Sequence, residues 1–188
     1  SYIVQGDDLN AVVEKVEAYG GVITSELEII DGVAAYLDPT KAAELSYQPG
    51  ILYVTPNAKI AGSALPAIDP AVTSMGKNRP SADAPEVVGA DYIWEQGVTG
   101  DGVTIAIVDS GVKPFNPIKK DTGGEQRILA WKDFVQKRKN PFDPNGHGTH
   151  LASIMVNSFK GSDKSYNGVA PNANLVAVRV LDKNGYSD

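Results

Sequence analysis

Apolar residues follow two different rhythms along this chain, and the change of rhythm divides it. In the first sixty residues they either alternate with polar neighbours or recur at helical spacing. Tyr2 to Val4 reads as a short strand. Asp8 is placed to cap a helix whose Leu9, Val12, Val13 and Val16 form one stripe, closed by Gly20 and Gly21. Ile23, Ser25, Leu27 and Ile29 occupy alternate positions, and Asp31-Gly32 predicts a two-residue hairpin onto Val33 to Leu37. Asp38-Pro39 opens a second helix through Leu45, and Ile51 to Thr55 reads as a last strand. The order strand, helix, strand, strand, helix, strand predicts a small ferredoxin-like α+β domain over residues 1–60.

Residues 61–85 keep no period. Gly62, Pro66, Pro70, Gly76, Pro80 and Pro85 punctuate small and polar residues, which reads as a linker. From residue 86 to 188 the pattern becomes α/β. A short helix is expected around Asp91 to Gln96, closed by Gly97. Val103 to Val108 is a nearly unbroken, β-branched apolar run, expected as a central strand of a parallel sheet covered on both faces. Arg127 to Trp131 reads as another strand, His147 to Asn157 as a helix, and Asn174 to Leu181 as a further strand. Strands alternating with helices imply a doubly wound, mostly parallel sheet, whose sites form at the carboxyl ends of strands. Asp109 lies at such an end.

Composition narrows the function classes. The chain has 188 residues, 42% of them hydrophobic and 21% charged, which is the balance of a globular protein. A net charge of -6 argues against nucleic acid, because phosphate binding needs clustered cations, and Lys137-Arg138-Lys139 is a short run that reads as a solvated loop. No window of about 18 apolar residues exists to span a membrane. With no cysteine, thiol catalysis, thiolate metal sites and disulfides are all excluded. The start of the numbering carries no basic and hydrophobic leader, so a secretion signal is expected to be absent from it or already removed.

Both histidines fall within Asn145-Gly-His-Gly-Thr-His150. A carboxylate emerging from a buried strand can accept from one imidazole nitrogen and fix the tautomer, which leaves the other nitrogen free to take a proton from a nucleophile. Asp109 and His147 are the residue types for that pair. Taken singly, Asp109 also suits a turn or cap and His147 an ordinary helix start. Gly146 and Gly148 let other backbone come close to the imidazole. A zinc site made by His147, His150 and Asp109 is disfavoured because the histidines are three apart, and a zinc-binding helix spaces them by four. The glycines at 97, 100 and 102 precede the strand, against a dinucleotide site.

Together, Ile107-Val-Asp-Ser-Gly111 and Asn145-Gly-His-Gly-Thr-His150 resemble the aspartate and histidine motifs of the subtilisin-like serine proteases, in that family's order of Asp, His, Ser. Gly168 to Leu181 resembles the strand that follows, and residues 1–60 resemble the family's propeptide. The resemblance implies that Asp109 orients the imidazole, that His147 is the general base, and that His150 packs within its helix. It implies an extended protein or peptide substrate along an edge near Leu181, Gly185 and Tyr186. The family's serine and its oxyanion asparagine have no counterpart here, so the 188 residues are expected to be inactive alone and to need a companion carboxyl-terminal segment carrying the serine. No cofactor or metal is expected. The calcium ligand that many relatives place after the aspartate motif is replaced by Ile118, and Ser153 stands where relatives often have glycine.

The whole then reads as a secreted zymogen. An inhibitory propeptide contacts the catalytic part of its own chain and is cut between residues 61 and 66, with Ile60 entering a pocket. The reading from another class is a propeptide-type inhibitor or a noncatalytic partner chain.

Overall fold

The computed structural model describes residues 1–58 and 82–187, so Ile60, the cleavage segment at 61–66 and the expected linker up to residue 81 lie outside the described residues, while the last two positions assigned to that linker begin a short helix, Ala84–Val87. Two compact units form, Ser1–Lys59 and Ile60–Asp188. In the first, the elements are β1 (Tyr2–Gly6), α1 (Leu9–Ala18), β2 (Val22–Leu27), β3 (Gly32–Tyr36), α2 (Pro39–Leu45) and β4 (Ile51–Pro56). The antiparallel sheet has the order β2-β3-β1-β4. The Asp8 carboxylate accepts from the N–H of Ala11, and the Asp38 carboxylate from that of Thr40, as their positions before the two apolar stripes predict. Val12 and Val16 of α1 bury against Val4, Val33 and Ala35, with Leu45 and Ile51 completing the core.

The β2–β3 connection departs from the expected two-residue hairpin. Leu27 pairs with Gly32, residues Glu28–Ile30 make a turn of 3-10 helix, and Asp31 takes a left-handed φ of 46°. Ile29, expected as a strand residue, is fully exposed. Gly32 serves the sheet instead of the turn, since a Cβ there would lie 2.7 Å from the carbonyl oxygen of Val4. Alternation of apolar residues continued two positions past the strand's real end.

The second unit comprises α3 (Ala84–Val87), α4 (Ala90–Trp94), β5 (Thr104–Asp109), α5 (Asn116–Lys119), β6 (Ile128–Asp133), α6 (His147–Val156) and β7 (Asn174–Arg179). Its described sheet is parallel, in the order β5-β7-β6. Here β7 is the middle strand. The expected central strand, β5, pairs on one side only within the described residues, and its residues alternate: Ile107 and Asp109 are buried while Val108 is 61% exposed. An unbroken β-branched run tells that a strand exists but not which neighbours it has. Ile107, Leu175 and Ala177 face Ala152 of α6, with Val112 and Ile118 closing the core.

Two buried arginines tie this unit together. Arg127 donates to the carbonyls of Lys120, Val156, Ala173 and Pro171, which fastens the end of α6 and two connecting segments to the start of β6. Burial pushes its guanidinium down to about 10, against the upward pull of Asp121, so it stays charged at neutral pH. Arg179 ends β7 and bonds Asp133 at 3.1 Å, both side chains being essentially inaccessible.

Burial alone would raise the carboxyl of Asp133. The N–H groups of Gln136 and Arg138 and the Arg179 guanidinium outweigh it and hold the group below its ordinary 3.8. A folded-state value below the unfolded one means stability present above the ordinary value and lost as pH falls through the folded one. Asp133→Ala, which removes the counter-charge of the buried Arg179 and leaves it the Gln136 Oε1 acceptor, is therefore expected to cost about 3 kcal/mol at pH 7. In urea unfolding followed by Trp131 fluorescence, that gap from the parent chain should narrow as the pH falls below the ordinary carboxylate range.

Candidate active site

Parallel strands end together, so the carboxyl end of β5 is where side chains released from the sheet meet the loops. Asp109 is the last residue of β5, with Arg179 as its register partner on β7. Its carbonyl accepts from the N–H groups of Val180 and Leu181, at 2.8 and 3.2 Å, which fixes the backbone from which the carboxylate projects. The side chain keeps about a tenth of its surface accessible.

His147 opens α6. Gly146 before it has a φ of 98°, a left-handed turn that lets the chain swing into the helix. The Asn145 Oδ1 accepts from the His147 N–H at 3.2 Å, and Asn145 Nδ2 donates to the carbonyl of Lys183, joining this turn to the one at 182–186.

The structure brings the two residues together: His147 Nδ1 lies 2.8 Å from Asp109 Oδ1 and 2.9 Å from Oδ2. Asp109 Oδ1 also accepts from the Ser110 N–H at 2.6 Å. An ionised carboxylate can only accept, so Nδ1 carries the proton and Nε2 carries the lone pair. With Nδ1 engaged by Asp109 and 18% of the side chain accessible, Nε2 is the ring nitrogen left for a reacting group. The arrangement can take a proton at Nε2 and hold the resulting imidazolium against a fixed carboxylate.

Two glycines allow this approach. A Cβ on Gly148 would lie 2.1 Å from the Gly111 carbonyl oxygen and 3.2 Å from Asp109 Cβ, and one on Gly111 would lie 2.0 Å from the Phe142 carbonyl oxygen. Gly148→Ala is expected to drive α6 away from the turn after β5, costing about 3 kcal/mol. The check is the thermal unfolding midpoint, together with loss of the His147 Nδ1–H signal in proton NMR.

Other sequence expectations fare differently. His150 is exposed, where packing within the helix was expected: α6 buries Gly148, Ala152 and Val156, and position 150 falls on the opposite side. Leu181 is buried at 6% exposure and its N–H is spent on Asp109, so its side chain belongs to the core. Gly185 has a φ of 82° and Tyr186 is half exposed, in a turn organised by Asp182, which accepts from the N–H groups of Asn184 and Tyr186. Those N–H groups hold the Asp182 carboxyl below its usual range.

Ile118 is fully buried. Among the described residues no group of three His, Asp or Glu is placed to hold a metal ion, and no helix is long and apolar enough to cross a membrane. Sequence reasoning missed Asp143 and Ser110, which join the two motifs; Asp143-Pro-Asn-Gly146 is a turn signature that marks the first of them.

The chain is similar to known proteases. The profile of the subtilase family matches residues 100–188. The chain is 43% identical over 90 residues to serine protease AprX of Bacillus subtilis, covering 48% of this chain and 19% of that protein. It is 30% identical over 169 residues to minor extracellular protease Epr of the same species, covering 88% and 24%. It is 29% identical over 167 residues to subtilisin E, also of Bacillus subtilis, covering 88% and 38%. The chain thus spans well under half the length of these relatives.

Proposed function

Since the chain belongs to the subtilase family of serine proteases, we propose that it is the amino-terminal portion of a subtilisin-like endopeptidase zymogen, with Asp109 and His147 as two members of a Ser-His-Asp triad. One observation carries this: the His147 Nδ1 lies within 2.9 Å of both carboxylate oxygens of Asp109 at the carboxyl end of a parallel sheet, which leaves Nε2 as the nitrogen for proton transfer. The polypeptide continuing beyond these residues supplies the serine. His147 Nε2 takes the hydroxyl proton as the serine attacks a peptide carbonyl and returns it to the leaving amine, while Asp109 holds the ring and stabilises the imidazolium.

In this proposal the first unit is a ferredoxin-like inhibitory propeptide, supported by its sheet order β2-β3-β1-β4 with two helices. The second is the first part of the catalytic domain, and a cleavage segment at 61–66 joins them. The uncovered apolar face of β5 and β7 supports further elements in the longer protein, since parallel sheets are normally covered on both faces. Substrate lies along the 182–186 turn, which Asn145 anchors to the histidine turn. The protein is secreted, as the name of the extracellular protease Epr suggests for its relative.

A serine-directed fluorophosphonate probe tests the reading. It should label the polypeptide extended through the serine and fail to label its His147→Ala variant. Absence of labelling in the extended, folded protein would overturn it. The self-contained core of residues 1–58 favours one second reading, an inhibitor module. Potent inhibition of a related subtilase by residues 1–63, with no labelling of the extended protein, would support that instead.

A further inference from the structure

We propose that Asp143 is a positioning residue for the Asp109–His147 pair, holding the start of α6 against the turn that leaves β5; this rests on the protease reading above and deepens it. Asp143 lies outside both motifs, in the loop before the histidine, yet five groups donate to its carboxylate. Oδ1 accepts from Ser110 Oγ at 2.9 Å, from the Gly146 N–H at 2.8 Å and from the Asn145 N–H at 3.2 Å. Oδ2 accepts from the Thr149 N–H at 2.8 Å and from the Thr149 hydroxyl.

Oδ1 therefore bridges the two segments directly, while Oδ2 grips Thr149 and reaches the turn after β5 through that hydroxyl. Ser110 adjoins Asp109, and its Oγ accepts in turn from the Gly148 N–H at 3.0 Å. Thr149 belongs to α6, and its Oγ1 accepts from the Lys113 N–H at 2.9 Å, beyond the β5 turn. Gly146 adjoins His147. The two hydroxyls act as relays through which one carboxylate spans both segments, and the carboxylate also meets the unpaired N–H groups and positive end of α6.

Charge-assisted bonds of this kind are short and directional. A bond of 2.8 Å between Nδ1 and Asp109 survives only if the strand end and the helix start stay in register, so the carboxylate that joins them sets the imidazole's place. An asparagine would offer one accepting oxygen where two are used, and a glutamate carries an extra methylene into a half-buried site.

The first readout is the low-field proton resonance of the His147 Nδ1–H in the 188-residue chain, alongside its Asp143→Ala, Asp143→Asn and Asp109→Ala variants. Loss of the resonance is expected in Asp143→Ala and weakening in Asp143→Asn, with the far-ultraviolet circular dichroism unchanged. In the extended enzyme, Asp143→Ala should lower kcat about 100-fold with KM unchanged. A role confined to stability would lower only the folded fraction.

If Asp143→Ala does not fold, Thr149→Val and Ser110→Ala each remove one relay and keep the carboxylate. Both should weaken the signal, and Thr149→Ser, which keeps its hydroxyl, should restore it. A resonance unmoved in these folded variants would overturn the proposal alone. Absence of any resonance in the parent chain that Asp109→Ala abolishes would instead remove the Asp109–His147 pair and the protease reading with it.

Discussion

Replacing His147 by alanine in the proposed protease, extended through a serine, is expected to lower kcat about 10⁶-fold while leaving KM nearly unchanged. That magnitude is set by the loss measured in a subtilisin triad, not by the distances in this chain. The direction follows from the geometry. Nε2 is the nitrogen of the imidazole that Asp109 does not engage, and without it a serine hydroxyl must lose its proton to water. KM should hold because an extended substrate is bound through main-chain groups that the imidazole does not supply. Single-turnover and steady-state kinetics on a peptide ester, with circular dichroism to confirm the fold, provide the check; a loss below about tenfold would deny His147 its role as base.

Asp109→Asn is expected to cost about 10⁴-fold in kcat, and for a different reason. The amide keeps the shape of the carboxylate, so the fold should survive. Oδ1 now accepts from both the Ser110 N–H and His147 Nδ1, and Oδ2 lies on the same ring nitrogen at 2.9 Å. An amide has a single accepting oxygen. Once Ser110 holds that oxygen, the amide NH₂ faces the ring and donates to Nδ1, which moves the imidazole proton to Nε2. The base then carries its proton on the side where it must take one. Nitrogen-15 NMR of the ring should show the tautomer reversed in Asp109→Asn, and an unchanged tautomer with full activity would refute the assignment.

The two variants separate roles that a motif leaves merged. His147→Ala removes the proton acceptor, whereas Asp109→Asn leaves it in place and misdirects it. Gly148→Ala leaves both side chains intact and moves the helix that carries one of them.

How much was legible in advance depends on the range of the interaction. The caps at Asp8 and Asp38, the helices they open, and the strand ending at Asp109 are local matters, settled by residues within one or two turns of each other. The β2–β3 turn was misread because apolar alternation persisted to Ile29 after pairing had stopped at Leu27, and pairing depends on β3. His150 was misassigned for a related reason: the side of α6 that is buried is chosen by the sheet beneath it. Leu181, expected along a substrate edge, is buried, and its N–H donates to the carbonyl of Asp109, a long-range contact that short-range spacing does not carry.

The chemical types and their order are written along the chain: a carboxylate released from an apolar strand, then an imidazole opening a helix between two glycines. So is the fact that neither thiol nor disulfide chemistry is available. Folding brings these groups within 2.8 Å across 38 residues of chain, and it lets a carboxylate outside both motifs join the segments bearing them. Residue type and short-range spacing are written along the chain, whereas a hydrogen bond between distant segments exists only when packing of Ile107, Ala152 and Leu175 has set the helix on the sheet.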